Sequence, residues 1–187
     1  MNRPIHTTAG NHSGPRSMRG LERYRTPPCA IELLIAAEPL PTGCWDPCGN
    51  DDDSVAVSLK AHGKTVVATD IANDGIDFRD RREAPPSIEA IVTNPPFSLA
   101  ADFVRHGLKL VRKVVVLERI QFLESETRAD LFDAGKLVRV LVFRNRVSRM
   151  HRIDWTGKRS SPAMTLAWFV FEHDHDGSRP ELDWIHC

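Results

Sequence analysis

The stretch Ile88–Phe97, which reads I-E-A-I-V-T-N-P-P-F, constrains the fold of this chain more than any other. Its first half is an apolar run biased toward β-branched residues, which is typical of a strand buried on both faces of a sheet. Pro95 and Pro96 then end the strand, because neither donates a backbone hydrogen bond and each holds the residue before it extended. Residues Asn94–Phe97, the NPPF turn, are therefore predicted to form a rigid shelf at the carboxyl end of a core strand, where open α/β sheets bind ligands.

Strand-like and helix-like segments alternate along the rest of the chain. Apolar runs predict further strands within 44–50, 66–71, 114–117, 137–143 and 163–171, and apolar stretches predict helices at 30–37, 53–61, 98–110 and 123–132. This order predicts a doubly wound α/β fold with a mostly parallel, seven-stranded sheet. Residues 163–171 are predicted to be the last strand and to form an antiparallel edge hairpin with 137–143. Ser98 is expected to cap the helix after the NPPF turn.

Length and composition favour one folded domain. With 187 residues the chain can bury its own core, and its 41% hydrophobic and 27% charged residues are ordinary for a globular protein. Residues 1–20 are predicted to be a disordered arm, 21–175 the domain and 176–187 a polar tail. No apolar run approaches the roughly 20 residues that cross a bilayer, and no secretory leader is evident, so we expect no membrane contact and a cytoplasmic location. The cysteines lack zinc-site spacing, and no metal site is predicted.

The basic residues are concentrated in one segment. The formal net charge is zero, but between Arg139 and Arg159 seven basic residues stand against a single acid, Asp154. Such a segment combines charge that can contact phosphates with one aromatic side chain that can stack on a base, although an ordinary solvated loop is the alternative. The residues expected to contact nucleic acid are Arg144, Arg146, Arg149, Arg152, Trp155 and Lys158.

Short polar motifs precede or follow the first predicted strands. Arg25-Thr26-Pro27 comes before the first strand, and the motifs after it are Asp46-Pro47-Cys48-Gly49, Asp70-Ile71, Asp77-Phe78 and the NPPF turn. In this order they resemble the class I S-adenosylmethionine-dependent methyltransferases, specifically the amino-methyltransferases that carry an N/D-P-P-Y/F motif. Bacterial and phage adenine-N6 DNA methyltransferases are their best-known members. The resemblance covers about residues 24–171 and implies a Rossmann-like methyltransferase domain with S-adenosylmethionine as cofactor.

The resemblance also implies a role for each motif. Asp46 would bind the amino end of the cofactor, and Gly49 would let the backbone approach it, although Asn50-Asp51 stands where the family has a second glycine. Asp70 would accept hydrogen bonds from the ribose hydroxyls, and Asp77 from the adenine amine. The whole set implied to bind cofactor is Arg25, Thr26, Pro27, Asp46, Pro47, Cys48, Gly49, Asp70, Ile71, Asp77, Phe78 and Asn94.

The catalytic residues implied by the resemblance are Asn94, Pro95, Pro96 and Phe97. The side-chain oxygen of Asn94 and the carbonyl of Pro95 would accept the two protons of an adenine amine, which frees its delocalised lone pair for attack. Phe97 would stack on the base. The transfer is an in-line displacement, so alignment and electrostatics supply most of the catalysis and no strong general base is needed.

The nature of the substrate stays open at this point. The same turn serves enzymes that methylate adenine in RNA and glutamine in proteins, and a non-catalytic subunit that binds cofactor or nucleic acid is a further alternative. The basic segment favours nucleic acid, DNA before RNA. A chain of 187 residues has no room for a separate target-recognition domain. Recognition would therefore come from the basic segment, the arm, or a second subunit in a homodimer or with another partner.

Overall fold

Seven strands form a single sheet in the computed structural model, which describes residues 25–145, 147 and 165–186. Their order across the sheet is β2-β1-β3-β4-β6-β5-β7. Six strands run in one direction, and β6 alone runs antiparallel to its neighbours β4 and β5. The predicted doubly wound, mostly parallel seven-stranded fold is confirmed. The strands are β1 (Gly43–Asp46), β2 (Thr65–Ala68), β3 (Ala90–Thr93), β4 (Lys113–Arg119), β5 (Leu137–Phe143), β6 (Leu166–Glu172) and β7 (Glu181–Ile185).

Helices cover both faces of the sheet. They are α1 (Pro28–Ala37), α2 (Ser54–Ala61), α3 (Ile71–Asp74), α4 (Ala100–Leu110) and α5 (Ala129–Asp133), with three 3-10 turns at Phe78–Asp80, Ile120–Leu123 and Glu126–Arg128. Apolar residues of α1 and α2 share one core cluster with alternate strand residues. Those of α4 and α5 share the second cluster, on the other face. The central strands are therefore buried on both sides, as the apolar runs predict.

The predicted end of the second strand and the predicted cap of the helix after the NPPF turn were both wrong. The second strand ends at Ala68 and not at Ile71, which begins α3, because the side chain of Asp70 accepts a hydrogen bond from the amide of Ala72 at 2.7 Å. Ser98 does not cap α4, since the N-cap residue is Leu99. The amide of Leu99 already bonds the carbonyl of Pro96 at 2.8 Å, so the chain starts to turn within the NPPF turn.

The segment predicted as one helix at 123–132 is divided. Two 3-10 turns precede α5. The side chain of Ser125 caps the second of them by accepting a hydrogen bond from the amide of Thr127. Gly135, predicted to stop the helix, follows α5 with a φ of 64°, the left-handed conformation that glycine adopts easily. A serine that can bond its local backbone interrupts the helical pattern here.

The prediction that 163–171 is the last strand was also wrong. Residues Glu181–Ile185, within the segment predicted as a tail, form β7 parallel to β5 and extend the sheet beyond the predicted hairpin. Four of the five residues of β7 are exposed, and only Ile185 is buried. Leu182 and Trp184 alternate with acidic residues, but they are 54% and 52% exposed, so the alternation marks no buried face of the sheet.

The order of the strands places a crevice beside β1. Strand β1 pairs with β2 on one side and β3 on the other, and all three are parallel. Helix α2, which follows β1, packs on one face of the sheet, whereas α4, which follows β3, packs on the opposite face. The loops after β1 and β3 therefore diverge at the carboxyl edge, and such a switch point is where ligands bind in open α/β sheets.

Candidate active site

A cleft opens at the carboxyl ends of β1, β2 and β3. It holds about 960 Å³ of empty space, part of it open to solvent. Ten of the twelve residues predicted to bind cofactor line it, and Pro27 and Gly49 do not. The ten are Arg25, Thr26, Asp46, Pro47, Cys48, Asp70, Ile71, Asp77, Phe78 and Asn94. Residues that the sequence analysis did not select also line the cleft, namely Asp53, Ser54, Val55, Arg79, Leu99 and Phe103.

Asp46 ends β1 and is only 2% exposed. Its Oδ1 accepts hydrogen bonds from the Thr93 hydroxyl at 2.7 Å and from the Cys48 amide at 3.1 Å. Burial raises the pKa of this carboxyl to about 7, and the two donors only partly oppose that effect. Asp46 therefore changes its charge near neutral pH, and a cation in the cleft would favour its ionised form.

Gly49 has a packing role beside the one predicted. A Cβ at this position would lie 2.2 Å from Oδ2 of Asp46, so the carboxylate occupies the space that a side chain would need. The amide of Gly49 donates to the Thr69 carbonyl at 3.1 Å and joins the ends of β1 and β2. The absence of a side chain at Gly49 thus leaves room for the carboxylate of Asp46.

Cys48 provides a neutral wall beside this loop. Burial, and then the neighbouring Asp46, raise the pKa of its thiol well above the ordinary range. The thiol therefore stays protonated and contributes an apolar surface to the cleft.

Asp70 follows β2 and is 6% exposed. Its Oδ1 caps α3 through the amide of Ala72. Ile71, the next residue, is 42% exposed although it is apolar, and it lines the cleft. An acid at the end of a strand, beside an exposed apolar side chain, suits a ligand with hydroxyl groups next to a flat ring.

Asp77 is held by Arg79. Its Oδ1 accepts from the amide of Arg79 at 2.9 Å and from its Nε at 3.0 Å, and its Oδ2 accepts from Nη2 at 2.6 Å. These bonds lower the pKa of Asp77. The next residue, Phe78, is 3% exposed, and its ring lies 4.7 Å from that of Phe103 and 5.2 Å from that of Trp45. Phe78 therefore anchors the loop in the core as well as lining the cleft.

Thr26 connects the start of α1 to the NPPF turn. It is 5% exposed, and its hydroxyl oxygen accepts a hydrogen bond from Nδ2 of Asn94 at 3.0 Å. Its carbonyl accepts from the hydroxyl of Ser54 at the start of α2. Pro27, the next residue, is the N-cap of α1. The bond to Thr26 fixes the amide plane of Asn94, and the oxygen of this amide is buried beside the cleft that Asn94 lines.

The four residues predicted to be catalytic are divided between two places. Asn94 and Pro96 line the cleft, whereas Pro95 is buried and Phe97 packs against the core cluster under α1. The guanidinium carbon of Arg119, the last residue of β4, lies 4.3 Å from the ring centroid of Phe97. The Nε of Arg119 is buried and has no hydrogen-bond acceptor among the residues that the structure describes. Arg119 belongs to none of the sequence motifs, although a charged residue that ends a core strand is a visible signal.

Most of the basic segment lies outside the described residues. This applies to Arg146, Arg149, Arg152, Trp155 and Lys158. Arg144 is described, and it is exposed directly after β5, where its amide donates to the carbonyl of Ile185 at 2.9 Å. The carboxyl end of β5 thus leads toward the same edge of the sheet as the NPPF turn.

The described part of the chain contains neither a candidate metal site nor a helix that could span a membrane. Across residues 25–145, 147 and 165–186, His, Cys, Asp and Glu side chains form no group of three that could hold a metal ion. None of the helices found there has the length and apolar character needed to cross a membrane.

Comparison with known proteins finds solved structures of similar fold. No protein-family model matches the chain, and neither does any curated protein. Among solved structures, the "putative RNA methyltransferase PH1948 from Pyrococcus horikoshii" matches with a TM-score of 0.61 and 15% sequence identity, over 81% of this chain and 87% of that one. At this identity the similarity shows the fold, which is that of a methyltransferase structure.

Two further structures match less well. A dimethyladenosine transferase from Plasmodium falciparum has a TM-score of 0.45 and 11% identity, over 80% of this chain and 63% of that one. A release-factor-specific protein-(glutamine-N5) methyltransferase from Alicyclobacillus acidocaldarius has a TM-score of 0.37 and 20% identity, over 78% of this chain and 92% of that one. These TM-scores are too low to carry an argument about substrate.

Proposed function

We propose that this protein is an S-adenosylmethionine-dependent methyltransferase that methylates an exocyclic amino group, with adenine N6 in DNA as its substrate. The observation that carries the proposal is the placement of Asn94. Its amide is fixed by Thr26 at the carboxyl end of β3, beside a cleft whose walls include buried acids at the ends of β1 and β2. Such an amide can accept an amine proton next to a bound cofactor.

The chemistry of the cleft suits S-adenosylmethionine. Asp46 is a buried acid whose ionised form a cationic amino group would stabilise. Asp70 offers a carboxylate at the end of β2 for the ribose hydroxyls, and Arg25, exposed at the mouth of the cleft, offers a cation for the carboxylate of the methionine moiety. The amino and carboxylate groups of this cofactor thus each have a residue of opposite charge, and its ribose hydroxyls have an acceptor. When bound, S-adenosylmethionine supplies an electrophilic methyl group.

The residues of the NPPF turn would then prepare the nucleophile. The lone pair of an adenine amine is delocalised into the ring, so the amine attacks well only when it becomes pyramidal. The oxygen of Asn94 and the carbonyl of Pro95 would accept its protons and stabilise that form, which is preorganised electrostatic stabilisation. Phe97, braced by the guanidinium of Arg119, would hold the plane of the base.

DNA is the first candidate because the order of the sequence motifs resembles that of adenine-N6 DNA methyltransferases. RNA adenine is the second, and the observation that favours it is the fold similarity to a protein named as an RNA methyltransferase. In either case the basic segment around Arg144 would contact phosphates, and a second copy of the chain or another subunit would add target recognition. A cytoplasmic location is part of the same proposal.

Transfer of a labelled methyl group tests the proposal directly. The protein is incubated with methyl-labelled S-adenosylmethionine and, separately, with DNA, RNA and ribosomal protein, and the digested nucleic acid is analysed for N6-methyladenine. We expect label in DNA adenine. Label only in RNA would favour the second candidate, and label only in glutamine would overturn the nucleic-acid assignment. Saturable binding of cofactor with no transfer to any of the three would indicate a non-catalytic subunit.

A further inference from the structure

The Asp77–Arg79 pair presents an acceptor and a donor side by side in the cleft. Both residues line it, and Oδ2 of Asp77 lies 2.6 Å from Nη2 of Arg79. The pair is rigid for a surface-accessible loop, because the amide and the Nε of Arg79 also bond Oδ1 of Asp77. The side chain of Asp77 is 24% exposed and that of Arg79 is 39% exposed, so both can reach a ligand.

A count of hydrogen-bond sites shows what the pair can still bind. Each carboxylate oxygen offers about two acceptor sites, and a guanidinium offers five N–H donors in a planar fork. In the described part of the chain Oδ1 of Asp77 accepts two bonds and Oδ2 accepts one, which leaves one acceptor site on Oδ2. Nη1 of Arg79 approaches only Asp102, at 4.0 Å, which is too long for a hydrogen bond. Donors of Arg79 therefore remain next to an acceptor of Asp77.

We infer that the Asp77–Arg79 pair recognises the cofactor's adenine base as a unit. Oδ2 of Asp77 accepts a proton from the exocyclic amine, and the guanidinium of Arg79 donates to N1, the ring nitrogen beside that amine. Adenine presents a donor next to an acceptor on this edge, and the pair presents the complementary acceptor and donor. The inference rests on the proposed function, since it assigns a residue to the cofactor, and it makes Arg79 a specificity determinant that the sequence motif does not contain.

The geometry also explains why Asp77 would not act alone. The bonds from Arg79 keep the carboxylate ionised and fix the plane in which its remaining acceptor site lies. Hypoxanthine has a carbonyl in place of the amine and carries a proton on N1, so both partners of the pair would face a group of the wrong kind. A site built to hydrogen-bond a ligand rejects an analogue that leaves its groups unpaired far more strongly than an apolar pocket does.

Calorimetric titration with S-adenosylhomocysteine and its inosine analogue, S-inosylhomocysteine, tests the inference without any methyl-acceptor substrate. For the wild-type protein we expect the adenine ligand to bind roughly 100-fold more tightly or better. Arg79→Ala should weaken binding of the adenine ligand about 10-fold while it changes binding of the inosine analogue less than about threefold, because only adenine can accept from Arg79 at N1. Arg82→Ala removes the same charge from an exposed position three residues further on and is the matched control. It should leave both affinities within about twofold, since an exposed charge contributes little.

The outcomes separate this inference from the proposed function. An Arg79→Ala variant that binds S-adenosylhomocysteine as well as the wild type would overturn the inference, and so would tighter binding, which would make Arg79 a competitor for Asp77. An equal loss of affinity for both ligands would also overturn it, because the variant would then have disturbed the loop and not the recognition of the base. Failure of the wild-type protein to bind S-adenosylhomocysteine would overturn the cofactor assignment and the proposed function with it.

Discussion

The buried carboxyl of Asp46 should make both stability and cofactor affinity depend on pH around neutrality. Burial raises its pKa from 3.8 to about 7, so between these values the folded protein keeps a proton that the unfolded chain has released. Stability should therefore fall as the pH rises from about 4 to 7 and stay level above it. At about 1.4 kcal/mol per pH unit, the ionised carboxylate costs the cofactor-free fold on the order of 4 kcal/mol. That is a large part of the 5–15 kcal/mol that typically holds a domain folded.

Urea unfolding of the wild type and of Asp46→Asn from pH 4 to pH 8 measures this cost. Asparagine keeps an oxygen that can accept from Thr93 and Cys48 but carries no charge. The variant should become more stable than the wild type as the pH rises, by up to about 4 kcal/mol at pH 8. Asp51→Asn is the control, because the Asp51 side chain is 73% exposed and contacts Lys60. The difference in unfolding free energy between Asp51→Asn and the wild type should change little from pH 4 to pH 8.

Cofactor affinity should rise with pH over the range in which the stability of the fold decreases. The cationic amino group of S-adenosylhomocysteine favours ionised Asp46, so its affinity should rise about tenfold per pH unit below 7 and level off above. The account of Asp46 would be refuted by a stability difference between Asp46→Asn and the wild type that is the same at pH 5 and pH 8. Equally, a wild-type affinity that is flat across this range would remove Asp46 from the amino-group site.

Three further predictions concern other parts of the site. Asp70→Ala should keep the fold, judged by circular dichroism, but lose on the order of 1.5–3 kcal/mol of cofactor affinity for each ribose hydrogen bond; an unchanged dissociation constant would exclude Asp70 from the site. Gly49→Ala should both destabilise the protein and weaken cofactor binding, because the added Cβ would lie 2.2 Å from the carboxylate of Asp46, and a variant with wild-type stability would refute that packing. Replacement of four basic residues by serine should weaken nucleic-acid binding and flatten its salt dependence by roughly one unit of log–log slope per phosphate contact, whereas an unchanged slope would make the segment an ordinary solvated loop. The four are Arg144, Arg146, Arg149 and Arg152.

The sequence predicts most reliably the site residues that lie at the ends of strands. Asp46 ends β1, Asp70 comes after β2 and Asn94 after β3, and parallel strands bring such residues to one edge of the sheet, so the strand pattern predicts that they lie close together. The proposed contribution of Arg79 could not be predicted, because it depends on the direction of a long side chain that donates two hydrogen bonds to Asp77. The contact of Arg119 with Phe97 depends in the same way on packing between β3 and β4.

The errors in the fold have a related origin. Strand β7 is held by backbone bonds to β5 with little side-chain burial, and the alternation of Leu182 and Trp184 with acidic residues is too short to distinguish a strand from a polar tail. The short helix α3 depends on one side-chain cap from Asp70, which competes locally with a longer strand. Strand β7 and helix α3 both depend on hydrogen bonds, and hydrophobic periodicity does not reveal which groups form those bonds.

The central claim is that the oxygen of Asn94 accepts a proton from the target amine. Methyl transfer by Asn94→Ala tests it on whichever nucleic acid the wild-type protein methylates, with the dissociation constant of S-adenosylhomocysteine measured on the same preparation. Asn73→Ala, which removes an exposed amide from α3, is the control. We predict that Asn94→Ala lowers kcat roughly 100-fold or more while cofactor affinity changes less than about threefold, because the missing acceptor acts mainly in the transition state. Near-normal turnover by Asn94→Ala would mean that the NPPF turn serves only as a turn, and it would contradict the proposed function.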